Sequence, residues 1–312
     1  MPELPEVETV RQGLERLIGK KVGEIFRSEK KLRSASTLDL HLLKHGLVIK
    51  IKRRARYLII NFVGAAHGAV GNSKNIAKNK LGNVEEKYSL ILHLGMSGSI
   101  VVDACHSRKS GNLSSKNLTN YTYSTAKYPQ HDHFICSFED GSRFVFNDPR
   151  RFGFVDLIYS KDLPRHKMLA KLGCEPLSDE FNAEYLSEKL RNKKMNIKTV
   201  MMDNEIVVGV GNIYINESLF AVRISPLRAA NSLKKTEITK LVHAIKTILQ
   251  KAIELGGSSI SDYVDSAGNR GNFQDNFKVY GKAGKKCLHC SGVIAKIVQN
   301  GRSSFYCPTC QK

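Results

Sequence analysis

The chain has 312 residues, 41% of them hydrophobic, and carries 49 Lys plus Arg against 29 Asp plus Glu, for a net charge of +20 and a pI near 9.6. That length supports two or three compact units, and such a charge excess suits a polyanion, nucleic acid first and a ribosomal or membrane-surface setting second. No apolar run approaches the ~20 residues that span a bilayer and no signal-peptide core opens the chain, so a cytoplasmic protein is expected.

The first ten residues, Met1 to Val10, read MPELPEVETV. A small second residue favours removal of the initiator Met, which leaves Pro2 as a secondary amine at the terminus. Free α-amino groups titrate near ~7.7–8.0, so roughly 10–20% is neutral at pH 7, far more than for a lysine near ~10.4. Such an amine attacks aldehyde-level carbons and forms Schiff bases. Apolar residues at Val7, Val10, Leu14, Leu17 and Ile18 mark one face of a helix stopped by Gly19, with Glu3, Glu6 and Glu8 at its first turn. Taken alone, the segment reads equally as a helix start with prolines; dipole and carboxylates pull the amine's pKa in opposite directions.

Leu47–Ile51 and Tyr57–Phe62 are expected as strands around a very basic connection, Lys52 to Arg56, which suits phosphate contact or a solvated hairpin. Residues 64–87 are Gly, Asn, Lys and Ala without periodicity and read as an insertion, as does the Ser/Asn/Lys-rich stretch 103–128. Between them YSLILHLGMSGSIVV reads as a strand. HDHFICSFEDGSRFVFNDPRRFGFVDLI reads as a hairpin turned at Glu139-Asp140-Gly141 with a further strand. Many strands and few helices over 20–158 argue a β-sandwich with the first helix packed on it. From about 160 the pattern turns helical: KMLAKLG, FNAEYLSEKLRN, NIKTVMMDN, GNIYINESLF and a long helix over Thr236–Leu255, stopped by Gly256-Gly257.

Cys287 and Cys290, then 16 residues, then Cys307 and Cys310 form two CxxC knuckles, which match a tetrahedral Zn²⁺ site with all positions filled by protein and therefore structural. Cys136 alternates inward in a strand; with Cys105 and Cys174 it reads as ordinary. Between the knuckles VIAKIVQNGRSSFY is an alternating hairpin turned at Asn300-Gly301, which sets Arg302 at the tip, where a guanidinium can grip a phosphate. In MDNEIVVGVGNIYINESLF, Gly209 and Gly211 allow a tight turn and Asn212 suits a helix cap, giving an anion site or a plain helical turn.

These segments together resemble the bacterial formamidopyrimidine-DNA glycosylases, which excise oxidised purines, through MPELPEVETV, the GVGNIY string, HLGMSG, NDPRRFG and the cysteine ribbon. The resemblance implies that Pro2 is the Schiff-base nucleophile and Glu3 the acid/base. It implies that Arg302 of the finger holds phosphates flanking the lesion and assists the last elimination. Asn212, in the helix–two-turns–helix motif, would contact the backbone beside the lesion, and Lys193 and Lys198 match lysines of the same phosphate-binding surface. An enzyme acting on a base takes it out of the stack and fills the gap; Met96, Arg150 and Phe152 match the gap-filling residues and His131 a DNA contact. Taken in isolation, Met96 and Phe152 read as core, and His93 and His131 as satisfied polar residues. Arg56 stands in RRARY where the family carries lysine; it keeps a phosphate contact but, with a pKa above ~12, shuttles protons poorly. Asn269 stands where a relative has lysine. A cousin group, endonuclease VIII, attacks oxidised pyrimidines and begins Pro-Glu-Gly-Pro, so Leu4 favours the purine branch.

The expectation is an α+β chain: a β-sandwich with an N-terminal helix over 1–158, a helical helix–two-turns–helix domain over 159–275, and a zinc finger over 276–312. Its function would be that of a bifunctional glycosylase and abasic-site lyase, with one structural Zn²⁺ and double-stranded DNA bearing an oxidised base as partner, acting as a monomer. A non-enzymatic nucleic-acid-binding zinc protein and the pyrimidine-directed cousin are the alternatives.

Overall fold

The computed structural model describes residues 1–64, 86–103, 129–259, 265–267 and 270–312. Most of the two expected insertions, with Cys105, and also Asn269 lie outside the described residues. The chain forms two compact units, one of residues 1–2, 7–166 and 260–270, the other of residues 3–6, 167–259 and 271–312.

In the first unit two antiparallel four-stranded sheets carry the core. One has the order β1 (Val22–Arg27), β6 (Asp132–Phe138), β7 (Arg143–Asn147), β5 (Ser99–Asp103); the other has β2 (Leu47–Arg54), β3 (Tyr57–Val63), β4 (Tyr88–His93), β8 (Phe154–Tyr159). Successive side chains on a strand point to opposite faces, and the even positions, Leu58, Ile60, Phe62, Leu90, Leu92, Phe134, Cys136, Phe144 and Phe146, all enter one core. Val7, Val10 and Leu14 of α1 (Leu4–Leu14) and Leu17 just beyond it join that core. The helix stops before Gly19 at φ +85°.

Two expectations change here. The apolar run from Tyr88 to Val102 is not one strand: Gly95 at φ +62° turns it, Gly98 N–H bonds to Leu94 O at 2.8 Å, and β4 and β5 fall in different sheets. The basic connection is shorter than its charge run, because β2 continues to Arg54 and only Ala55 and Arg56 form the turn, Ala55 at φ 54°. Arg53 is consequently held inward, its Nε donating to Glu8 Oε2 at 2.8 Å and its Nη1 to Ala55 O at 3.0 Å.

The second unit packs four helices, α2 (Ala183–Leu190), α3 (Ile197–Met201), α4 (Asn212–Ala221) and α5 (Lys235–Glu254), with the hairpin β9 (Ala295–Gln299) and β10 (Arg302–Tyr306). Asn182 and Asn196 cap α2 and α3 by accepting from Tyr185 N and Thr199 N, both at 2.9 Å. The expected helix at KMLAKLG is instead a set of turns. Its last residue is drawn off, Gly173 N to Asn204 O, as is the next, Cys174 N to Ile206 O, and so short a run cannot nucleate a helix unaided. Among the described residues no helix is long and apolar enough to cross a membrane.

His93 ends β4 as a buried, neutral ring. Its Nδ1 accepts Gly95 N–H at 3.1 Å and it stacks on Phe154 at 5.8 Å. Burial, then Arg56 and Arg33, push its pKa down to about 4. A histidine depressed on folding leaves the unfolded chain binding more protons, so stability is complete above pH ~6.5 and lost as pH falls through 4. Between pH 7 and 4.5, urea unfolding of wild type should lose about 2 kcal/mol more than that of His93→Gln; parallel losses would contradict this burial of a neutral ring.

Candidate catalytic and nucleic-acid-binding site

The first turn of the chain is fixed by carboxylates. In the second unit, Glu3 accepts from the backbone N–H of Ile213 at 3.1 Å and of Tyr214 at 3.5 Å, both at the start of α4. Those groups have no partner within a helix and carry the positive end of its dipole. The expected capping role of Asn212 is therefore corrected. Gly211 is the cap residue, without a side-chain bond, Asn212 is the first helical residue, and the anion at this helix start is Glu3 itself. A Cβ on Gly211 would overlap the Glu3 carboxyl carbon, and one on Gly209, at φ +72°, would run into Leu4. Leu4 N–H meanwhile bonds to Gly209 O at 3.0 Å.

Glu6, only 2% exposed, completes this clamp. Its Oε2 accepts Glu3 N–H at 2.8 Å; its Oε1 accepts Ser258 N–H at 2.8 Å, Ser258 Oγ–H at 3.0 Å and the Tyr214 hydroxyl at 2.5 Å. Burial and the Glu6 charge raise the Tyr214 pKa, which keeps that phenol a donor. In the first unit, Pro2 is buried behind an exposed Met1, and Arg56 Nη1 lies 3.9 Å from Met1 Sδ. The departure residue is thus on the doorstep of the amino terminus.

Also in the first unit, two loops present the side chains matched to gap filling. Met96 is 39% and Phe152 48% exposed, so neither is a core residue, and the Arg150 guanidinium stands 5.9 Å from the Phe152 ring. The buried carboxylate of Asp148 joins them: Oδ1 accepts from Ser97 Oγ at 2.7 Å and Oδ2 from Gly153 N–H at 2.7 Å, while Ser97 Oγ accepts Arg150 N–H at 3.2 Å. A Cβ on Gly95 would collide with the Phe152–Gly153 backbone, so the loops meet without side chains between them. Asp148 N–H bonds to His131 O at 3.0 Å, which fixes half-buried His131 at the same place.

Of the second unit's remaining predicted residues, Lys193 is exposed after α2, and Lys198, 1% exposed, donates to Ser303 O at 2.9 Å and Ser304 Oγ at 2.7 Å. Burial and Arg302 bring the Lys198 pKa down to about 8, with Glu3 pulling it up. Arg302 is exposed beside the hairpin turn, whose Asn300 and Gly301 take positive φ of 46° and 70°. Residues that sequence reasoning missed tie α4 to the finger. Glu217 accepts backbone N–H from Lys278 at 2.9 Å, Val279 at 3.0 Å and Tyr280 at 2.8 Å, and Asn216 Oδ1 accepts Phe305 N–H at 2.7 Å.

The four cysteine sulfurs of the finger lie within 4.8 Å of one another, with Cys287–Cys310 at 3.7 Å and Cys290–Cys307 at 3.5 Å. A tetrahedron of ~2.3 Å Zn–S bonds requires sulfurs ~3.8 Å apart, so the donor set fits zinc with no place left for substrate. His289 and Gly292 N–H groups point at Cys287 and Cys290 Sγ, as thiolates require. The ion is one structural zinc.

A helix-capped carboxylate at the amino terminus, a loop pair bearing exposed apolar side chains and a zinc ribbon define a DNA-binding repair protein in three segments. Residues 1–155 match the formamidopyrimidine-DNA glycosylase N-terminal domain, 172–264 its H2TH domain, and 284–312 the zinc finger found in FPG and IleRS. The chain belongs to the formamidopyrimidine-DNA glycosylase family. It is 39% identical to the formamidopyrimidine-DNA glycosylase of Wolbachia pipientis wMel and 42% identical to that of Vesicomyosocius okutanii, each over the whole of both chains. It is also similar to Lactococcus lactis FPG in complexes with Fapy-dG containing DNA (31% identity, TM-score 0.77, all of both chains) and with oxidized pyrimidine containing DNA (30%, 0.77, all of both chains).

Cys307→Ser should release the zinc and weaken DNA binding. Metal content by atomic emission should fall from about one ion per chain to none; a full complement would contradict the four-thiolate site.

Proposed function

We propose that this DNA glycosylase of base-excision repair is bifunctional and removes oxidised purines, 8-oxoguanine and formamidopyrimidines, through covalent attack by the Pro2 nitrogen. The observation that carries this reading is the fixing of Glu3, the residue next to that nitrogen, by the start of α4 on one side and Glu6 on the other. A nucleophile and its proton donor must be held in near-attack geometry to be effective, and here the holding is done by backbone donors and a buried carboxylate.

The damaged nucleotide is turned out of double-stranded DNA. Pro2 nitrogen bonds to the anomeric carbon and gives up its proton. The bond from that carbon to the base breaks with its electron pair leaving on the base, which takes up a proton, and Glu3 protonates the ring oxygen as the sugar opens to the iminium. The resulting iminium draws electrons from the neighbouring carbon, so loss of a proton there expels the 3′ phosphate. A second elimination expels the 5′ phosphate, leaving a one-nucleotide gap with phosphates at both ends. Met96, Arg150 and Phe152 fill the vacated stack, supported by their exposure and common brace at Asp148. His131, Lys193, Asn212 and Arg302 attend the DNA backbone, and Arg302 assists the last elimination. Lys198, expected beside them, is buried and instead braces the hairpin next to Arg302 through Ser303 and Ser304. Arg56 binds DNA as a fixed cation and leaves proton transfer to others. In this reading the sandwich, residues 1–158, carries the nucleophile, residues 159–275 and the finger, 276–312, grip the duplex, and the protein works as a cytoplasmic monomer.

Borohydride reduction with an 8-oxoguanine duplex should trap a covalent adduct, and peptide mapping should find the sugar remnant on Pro2. No adduct would leave a non-enzymatic binder, and an adduct on a lysine would dismiss the Pro2 route. Faster excision from thymine glycol than from 8-oxoguanine would move the chain to the pyrimidine-directed reading, which the Lactococcus lactis complex with oxidised pyrimidine DNA makes worth measuring. Arg56→Lys should speed elimination about tenfold while duplex affinity stays within about twofold; equal effects on both would remove the role given to Arg56.

A further inference from the structure

A groove of about 730 Å³ opens in the second unit between the C-terminal end of α4, α5 and the turn at Phe273–Asn276. It sits a helix length from the Glu3 clamp: Asn212 and Ala221 are at opposite ends of α4, ~14 Å apart. On α5 its wall is a stripe at spacings of three and four, with Lys240 at one end, Ala244 and Ile248 between, and Lys251 at the other. Val222 and buried Phe273 continue the apolar floor, and Arg223 and Lys278 add two more cations.

Lys240, Lys251, Arg223 and Lys278 are all exposed, and among the described residues none has an ion pair or side-chain hydrogen bond. That sets them apart from their neighbours: on the same helix Lys235 pairs with Glu184 at 3.4 Å and Lys246 donates to Ser178 O at 2.8 Å. The one carboxylate lining the groove, Glu217, is already taken by three backbone N–H groups. The groove therefore presents uncompensated positive charge around an apolar floor.

We propose that this groove docks an acidic segment of a partner protein, one or two apolar side chains seated on Ile248 and Phe273 with carboxylates flanking them toward Lys240 and Lys251. The spacing selects the occupant. Eleven residues of helix separate the two lysines by ~16 Å, which five extended residues span at ~3.3 Å each. A small amphiphilic anion would neutralise one end only. A DNA backbone would meet the cations yet leave the apolar floor uncovered. Charge at the rim steers such an encounter and the buried anchor holds it.

The test uses the zinc-loaded full chain and a fluorescein-labelled hexapeptide, Asp-Asp-Leu-Phe-Asp-Asp, followed by anisotropy. Saturable binding in the micromolar range is expected, weakened about tenfold or more in K240E/K251E, with duplex affinity unchanged and the circular dichroism spectrum that of wild type. A control peptide with Ser-Gly in place of Leu-Phe should bind about tenfold more weakly. Equal binding of the two peptides, or by the wild type and the variant, would overturn the proposal. So would a parallel loss of duplex affinity in K240E/K251E, which would assign these lysines to DNA. Saturable, variant-sensitive binding of octyl phosphate with an inert peptide would replace the protein partner by a small amphiphile and overturn it too.

Discussion

The buried carboxylate of Glu6 is the constraint on which the working end of this protein rests. A carboxylate removed from water must have its lone pairs filled, or the loss of hydration is uncompensated. Four donors fill them: the backbone of Glu3, the backbone and hydroxyl of Ser258, and the phenol of Tyr214. Because one donor is the amide of Glu3, satisfying Glu6 also orients the chain next to Pro2. Because another is a side chain of α4, the same bond network sets the helix whose N–H groups hold the Glu3 carboxylate.

The same device recurs twice. Asp148 gathers the loops of Met96 and Phe152 around one carboxylate while its own N–H holds His131 O, and Glu217 gathers three successive amides at the approach to the finger. In each case the acid accepts at least one backbone N–H, which cannot rotate away as a side-chain donor can. Exposed residues such as Phe152, Met96 and Arg302 are thereby presented from fixed backbone, so little order has to be imposed when they meet a ligand.

Features that were legible in the sequence are those with a local physical signature. The apolar face from Val7 to Leu17, the Asn300-Gly301 turn and the two CxxC knuckles each determine their structure within a short window. Family resemblance added the roles proposed for Pro2 and Glu3, which no spacing discloses. What escaped was set by distant partners. Asn212 has a capping residue's chemistry, but Glu3 took the N–H groups first. KMLAKLG has helical apolar spacing, yet its end is taken up by the 204–206 segment, through Gly173 and the following Cys174. The apolar run from Tyr88 to Val102 hides a change of sheet that only the glycines at 95 and 98 betray. Asp148 and Glu217 gave no signal and Glu6 only that of an acid in a first turn, since such a carboxylate is ordinary until its donors are known.

The length of chain between Glu6 and its partners also has a consequence in time. The partners of residues 3–6 are at Gly209, Tyr214 and Ser258, so they leave the ribosome long after the first turn does. At ~5–20 residues per second that delay is on the order of tens of seconds. Throughout it residues 3–6 of the nascent polypeptide lack these partners. Closure of the first turn is thus deferred by synthesis itself until the second unit's later segments exist.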